Sequence, residues 1–268
     1  MNLKVGVSLG ILGIIMIATL SLREDTAEVN LTANEYTVLT VQGRIIFQQT
    51  GKDMTRGDVY VTGTPLDFTD ESSRAAIVNE VNGRYVLSAS KGKLKVLPAA
   101  NNVSSRSGAL LNIIDLKNHF TGRYLVLDVA KIPIDMESFP LSETAYFYLT
   151  YEHNGEVIPK RLSWEGVTNE IILDANEIYK IDGNSIPVTE KEMTLYYKSD
   201  KTYKINTFTP VFADEPVLKE EVSILLKSLK EADNTKKISE VTAYLNDFYG
   251  NPSKENLAVW LKKEFGIE

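Results

Sequence analysis

Cysteine is absent from the 268 residues, and histidine occurs only twice, at His119 and His153. No disulfide, thiolate metal site, thiol nucleophile or lipidated cysteine is therefore available. Two histidines leave little material for a histidine-rich metal site. The common catalytic signatures are missing too: no G-x-S-x-G elbow, no G-x-x-x-x-G-K-[ST] loop, no G-x-G-x-x-G and no H-E-x-x-H. Excess positive charge is also lacking. With 29 Lys and Arg against 36 Asp and Glu the net charge is -7, which argues against sequence-independent nucleic-acid binding, since that needs a basic face. What remains is ordinary globular material, 43% hydrophobic and 24% charged, of a length that suits one or two domains.

The N-terminus stands apart. From Val5 to Leu22 the chain reads VGVSLGILGIIMIATLSL without a charge, close to the roughly 20 apolar residues that a bilayer span requires. Three readings compete for residues 1–23: an uncleaved transmembrane anchor, a secretory signal peptide and a buried core helix. The run is long for a signal-peptide core and no A-x-A site follows it, so the anchor is preferred. Lys4 and the amino terminus precede the run, whereas Arg23 is followed at once by Glu24 and Asp25. The positive-inside rule then keeps the N-terminus in the cytoplasm and exports the rest. Residues 24–35 are polar and read as a tether. The acidic body has no electrostatic attraction to an anionic membrane.

From Tyr36 the texture is β. Tyr36 to Val41 is β-branched and aromatic, Gly43 breaks the run, and Arg44 to Phe47 resumes it. Turn signals follow at Thr50-Gly51-Lys52 and Arg56-Gly57-Asp58, and the Asn82-Gly83 pair marks a hairpin. Short strands at this spacing predict a small barrel or sandwich over residues 36–98. The order of the pieces is V-x-G-R-(apolar) at Val41 to Ile45, R-G-D-V at Arg56 to Val59, a short apolar strand at Leu66 to Phe68, and S-S-R-A at Ser72 to Ile77. It resembles the FecR-type domain. That resemblance covers about a quarter of the chain. It implies a small SH3-like β domain on the periplasmic side of a bacterial membrane.

Residues 99–142 read as a linker with connecting strands. Gly122 to Leu127 echoes Gly83 to Leu87, which two similar hairpins explain more simply than a duplication. A second β domain, sandwich-like, is expected over 143–212. Tyr146 to Tyr151 is an aromatic strand, His153-Asn154-Gly155-Glu156 turns it into Val157 to Leu162, and Ser199-Asp200-Lys201 joins another pair of strands. Ile171 to Leu173 and Ile178 to Ile181 are further strand candidates. Tyrosines concentrate here, at 146, 148, 151, 179, 196, 197 and 203. A tyrosine ladder on strands either packs across strands or forms a carbohydrate- or protein-binding face.

From Pro216 the period becomes helical, giving a C-terminal module over 216–268. Leu218, Val222, Leu225 and Leu229 form one stripe, and Ile238, Val241, Leu245 and Phe248 form a second. Gly250 is expected to close that second helix, with Asn251 capping a third and Pro252 in its first turn. Leu257, Trp260, Leu261 and Phe265 make the third stripe. Such helices either cover one another or lie across the preceding β structure. The overall expectation is thus a mainly β protein with an N-terminal transmembrane helix and a C-terminal helical segment.

Candidate catalysts are sparse. His119 and His153 titrate in the useful range, but no acid or nucleophile is spaced to partner them. Asp67, Asp70 and Glu71 lack the pattern of a calcium loop and read as a solvated turn. No cofactor and no metal is implied. The function expected is a non-enzymatic, membrane-anchored extracytoplasmic binding or scaffold subunit of a bacterial envelope complex, such as secretion or motility machinery. Its candidate partner-binding residues are Trp260, Leu257, Leu261, Phe265, Tyr146, Tyr148 and Tyr196. Its partners would be other envelope or membrane proteins, with no nucleic acid, and residues 5–22 would hold the membrane. A FecR-like sensor relaying through a membrane partner is the alternative, and an envelope polymer hydrolase is a minor one. Release into the periplasm after signal-peptide cleavage is the alternative location.

Overall fold

The computed structural model describes residues 34–90, 93–98 and 109–268. The expected span over Val5 to Leu22 and nearly all of the tether lie outside the described residues. Among the described residues no helix is long and apolar enough to cross a membrane.

The first module contains β1 (Glu35–Gln42), β2 (Ile45–Phe47), β3 (Lys52–Asp53), β4 (Val59–Val61), β5 (Leu66–Phe68), β6 (Arg74–Asn79), β7 (Gly83–Ser90) and β8 (Lys93–Pro98). They form a five-stranded sheet ordered β4-β1-β6-β7-β8 and a three-stranded sheet ordered β3-β2-β5, antiparallel throughout. Val38, Ile45, Met54, Ala75, Ile77 and Leu87 fill the small core between them. Strands β1 and β6 do not alternate in burial; their central residues are buried on both faces. Such a pattern requires a second layer on the outer face, since successive strand residues point to opposite sides.

The next elements are α1 (Ile113–His119), β9 (Gly122–Val126) and β10 (Ala130–Pro133). They are followed by β11 (Tyr146–His153), β12 (Glu156–Arg161), β13 (Ser163–Glu165), β14 (Glu170–Leu173), α2 (Ala175–Ile178), β15 (Lys180–Ile181), β16 (Asn184–Ser185), β17 (Met193–Lys198) and β18 (Thr202–Phe212). Ile178 thus ends a helical turn, capped by Asp174, where a strand was expected. A six-stranded sheet runs β12-β11-β17-β18-β9-β19, where β19 is the pair Asn251–Pro252. A smaller sheet, β10-β14-β13, lies opposite. Phe147, Leu149 and Leu195 from the large sheet meet Ile132, Ile171 and Leu173 from the small one in a single core. This is the sandwich-like packing expected for the second β block. Strand β9 pairs parallel with β18, whereas β7 is one arm of an antiparallel hairpin. Their similar sequences therefore serve different architectures.

Three helices follow: α3 (Glu215–Ser228), α4 (Asn234–Phe248) and α5 (Lys254–Phe265). Asp214, Asp233 and Ser253 cap them, each side chain accepting a backbone N–H from the first turn. Asn251 and Pro252 do not start the third helix. They pair parallel with Tyr124 and Leu125 at the sheet edge, a position where proline's missing N–H is tolerated. Gly250, just before them, has φ +120, and a Cβ there would lie 2.4 Å from the Arg123 carbonyl oxygen. Only glycine lets α4 end so close to β9.

The helices do not close on themselves. Leu218, Val222, Leu225, Val241, Tyr244, Leu245, Phe248, Leu257, Trp260 and Leu261 share one core with Leu39, Ala76 and Val78 of the first sheet and with Leu125 and Val211 of the large sheet. They are the second layer that β1 and β6 demand. The protein is thus mainly β, with several sheets and C-terminal helices.

Candidate functional site

The Asn154-Gly155 turn fixes the hairpin from which the site is built. Both residues have positive φ, 52 and 81, the two-residue turn whose twist matches that of the strands. The register that results pairs His153 with Glu156 and Tyr148 with Arg161. On the other side of β11, Tyr146 faces Lys198 and Tyr148 faces Tyr196. Lys204 of β18 stands opposite Tyr196 in turn. Residues opposite one another on paired strands share a face. Phe147, Leu149, Tyr151, Leu195 and Tyr197 point into the core, so these aromatic and cationic residues occupy the outer face.

The Tyr148 and Tyr196 rings stack with centroids 5.0 Å apart and planes at 12°. Tyr146 stands 6.1 Å from Tyr148. The Arg161 guanidinium covers the Tyr146 ring at 4.2 Å and lies 4.9 Å from the Trp164 ring, a cation–π arrangement. Arg161 also donates to Glu143 at 3.1 Å and to the Ser142 carbonyl at 2.9 Å. Lys198 Nζ is 5.6 Å from the Tyr146 centroid. The result is a half-buried aromatic row bordered by Arg161, Lys198 and Lys204 on an otherwise acidic protein.

Tyr148 and Tyr196 each give one ring face to the other, and Arg161 lies over a face of Tyr146. Cations set beside tyrosine rings complement a surface that bears carboxylates.

The predicted site residues divide in two. Tyr146, Tyr148 and Tyr196 come together on this face. Leu257, Trp260 and Leu261 are buried in the shared core, and Phe265 is half-buried with its ring 5.3 Å from that of Trp260. The third stripe is therefore covered by the protein's own sheets and helices, which corrects the expectation that it offers Leu257, Trp260 and Leu261 to a partner. Of the other tyrosines, Tyr151 and Tyr197 turn inward, their hydroxyls donating to the Ile178 and Pro140 carbonyls. Burial pushes the Tyr179 phenol up to about 12, and its hydroxyl donates to the Thr189 carbonyl. Sequence reasoning missed Arg161. Counting outward from the Asn154-Gly155 turn places it across from Tyr148, so the signal was available. Lys198 depends on a long-range pairing that no local pattern marks.

The two histidines and Asp70 have local partners of their own. His119 Nε2 lies 2.9 Å from the Tyr124 hydroxyl, and burial holds its pKa down to about 4. His153 is at the hairpin turn beside Asn154. The Asp70 carboxylate accepts from Ser72 and Ser73, and those bonds hold its pKa below the usual carboxylate range. Among the described residues no group of three or more acidic or histidine side chains is placed to hold a metal ion. No family model matches the sequence, and no curated protein matches it significantly.

Proposed function

We propose that this protein is a membrane-anchored, extracytoplasmic binding or scaffold subunit of a bacterial envelope complex, acting without catalysis. The observation that carries the reading is the outer face of the six-stranded sheet. There Tyr146, Tyr148 and Tyr196 form a row bordered by Arg161, Lys198 and Lys204. Tyrosine and arginine are the side chains that most often carry interface energy. Acidic side chains on a partner envelope protein would complement the cations. The apolar run from Val5 to Leu22 supports the anchor, and the FecR-like order of motifs in the first module supports a periplasmic setting. A sensor relaying through a membrane partner would use the same face.

The test is photo-crosslinking in intact membranes from position 196, compared with a Tyr148→Ser, Arg161→Glu double variant. The variant is expected to keep the melting temperature and lose the crosslinked complex. A complex that survives the double substitution would remove this face from the function.

A further inference from the structure

The Arg56-Gly57-Asp58 turn is held from several sides. Asp58 accepts from the Thr55 backbone N–H at 2.8 Å, the Thr55 hydroxyl at 3.0 Å and Lys52 Nζ at 2.8 Å. The Gly57 N–H donates to the Val38 carbonyl, and the Val38 N–H donates to the Asp58 carbonyl. The turn therefore rides on β1 and directs Arg56 toward α3. A cleft of about 670 Å³ lies between them, with Thr40, Met54 and Arg56 among its lining on the first module and Glu221 and Tyr249 facing them. The volume falls within the roughly 300–1,000 Å³ typical of small-molecule sites.

Glu221 is only 1% exposed. Its Oε2 accepts from the Tyr244 hydroxyl at 2.7 Å and from the Tyr249 hydroxyl at 2.5 Å. Burial, and then Glu221 itself, drives both phenols upward, so both keep the protons they donate. The other oxygen is served less well. Oε1 lies 3.6 Å from Arg56 Nη1, beyond hydrogen-bond range. Arg56 makes its close contact, 2.8 Å, to Glu220 at the exposed rim. The charged side chains lining the cleft are Arg44, Arg56, Asp53, Glu220 and Glu221. Arg44 pairs with Asp53 at 2.9 Å and Arg56 with Glu220 at 2.8 Å, so the longer 3.6 Å approach of Arg56 is the cationic contact left to Glu221 among the lining residues. A buried carboxylate in that position favours a cation that can donate to it directly.

We propose that this cleft binds a small organic cation, a guanidinium or primary ammonium compound, whose N–H groups donate to Glu221 Oε1 in place of the longer Arg56 contact. The Arg56 side chain is 30% exposed. It is a resident competitor: its guanidinium is the nearest positive charge to Glu221 and must give way as a ligand cation enters. The site is distinct from the tyrosine face and does not depend on it.

The test is calorimetric titration of the full chain with agmatine at low salt, with butylurea as the uncharged control. Saturable agmatine binding is expected, with none for butylurea. Glu221→Gln keeps an acceptor for the two tyrosines and should weaken binding about tenfold or more, the loss of one charged hydrogen bond. Arg56→Ala should tighten it several-fold, by removing the competitor and its repulsion. Tyr148→Ser should leave the titration unchanged, which separates this site from the surface proposed above. Should Glu221→Gln fail to fold, Arg56→Ala decides alone. No saturable heat with either the natural chain or Arg56→Ala, or weaker binding by Arg56→Ala, overturns the proposal. Binding unchanged by a folded Glu221→Gln overturns it too.

Discussion

His119 carries the clearest pH dependence of any single residue. Its ring packs 4.9 Å from Phe120 and 5.3 Å from Tyr124, and desolvation holds the imidazole at about 4, with Glu255 opposing the shift. An unfolded histidine titrates near ~6.5. Between these values the unfolded chain takes up a proton that the folded chain refuses. Stability present above pH 6.5 is therefore lost progressively as the pH falls toward 4. The expected loss is on the order of 2–3 kcal/mol from this residue alone. Urea melts at pH 7, 5.5 and 4.5 measure it, and His119→Gln should flatten that part of the curve. If the variant and the natural chain lose stability in parallel, the acid sensitivity resides elsewhere.

At the scale of elements, α5 offers the sharpest comparison. Trp260 is 2% exposed and its Nε1 has no hydrogen-bond partner. Trp260→Ala should cost roughly 3–5 kcal/mol through the cavity it leaves. Trp260→Phe should cost clearly less, because it keeps an aromatic ring and removes a buried donor without an acceptor. Thermal or denaturant melts of both variants decide the matter, and an unchanged melt for Trp260→Ala would contradict the burial. Much of this level was legible in the sequence. The apolar periods of α3, α4 and α5 follow from side-chain spacing alone, the Asn154-Gly155 hairpin from its turn residues, and β11 from its aromatic run. What was not legible depends on distant chain. Asn251-Pro252 carries the local marks of a helix start, yet β9 recruits it as an edge strand. Arg161 gains meaning only from Tyr146, Tyr148 and Trp164 around it. Trp260 has the composition of an interface anchor, and its fate is set by a core assembled from segments as distant as Leu39 and Leu125.

For the whole molecule, the shared core matters more than the modular sequence. Leu39, Ala76 and Val78 share their core with the helices and with Leu125 and Val211 of the large sheet. Polar ties run the same way: the buried Arg84 donates to Asp247 at 2.7 Å, joining β7 to α4, and Arg56 joins the first module to α3. Differential scanning calorimetry should therefore record one cooperative transition for the β modules and helices together. Deleting residues 214–268 should melt the first sheet as well, since it would expose one apolar face of β1 and β6. Two separate transitions, or a first sheet that survives the deletion, would show that the modules fold independently.

The Gln42 side chain donates to the Phe248 carbonyl across 206 positions of sequence, at 2.9 Å. That separation sets a schedule for the nascent chain. A ribosome makes β1 and β6 early and α4 and α5 late, so for most of translation the strand faces around Leu39 and Val78 have nothing to cover them. During that interval they are open to chaperones and to neighbouring nascent chains. A stop codon just ahead of α5 would leave part of the shared core permanently unshielded, and the truncated product would be marked for quality control rather than for use.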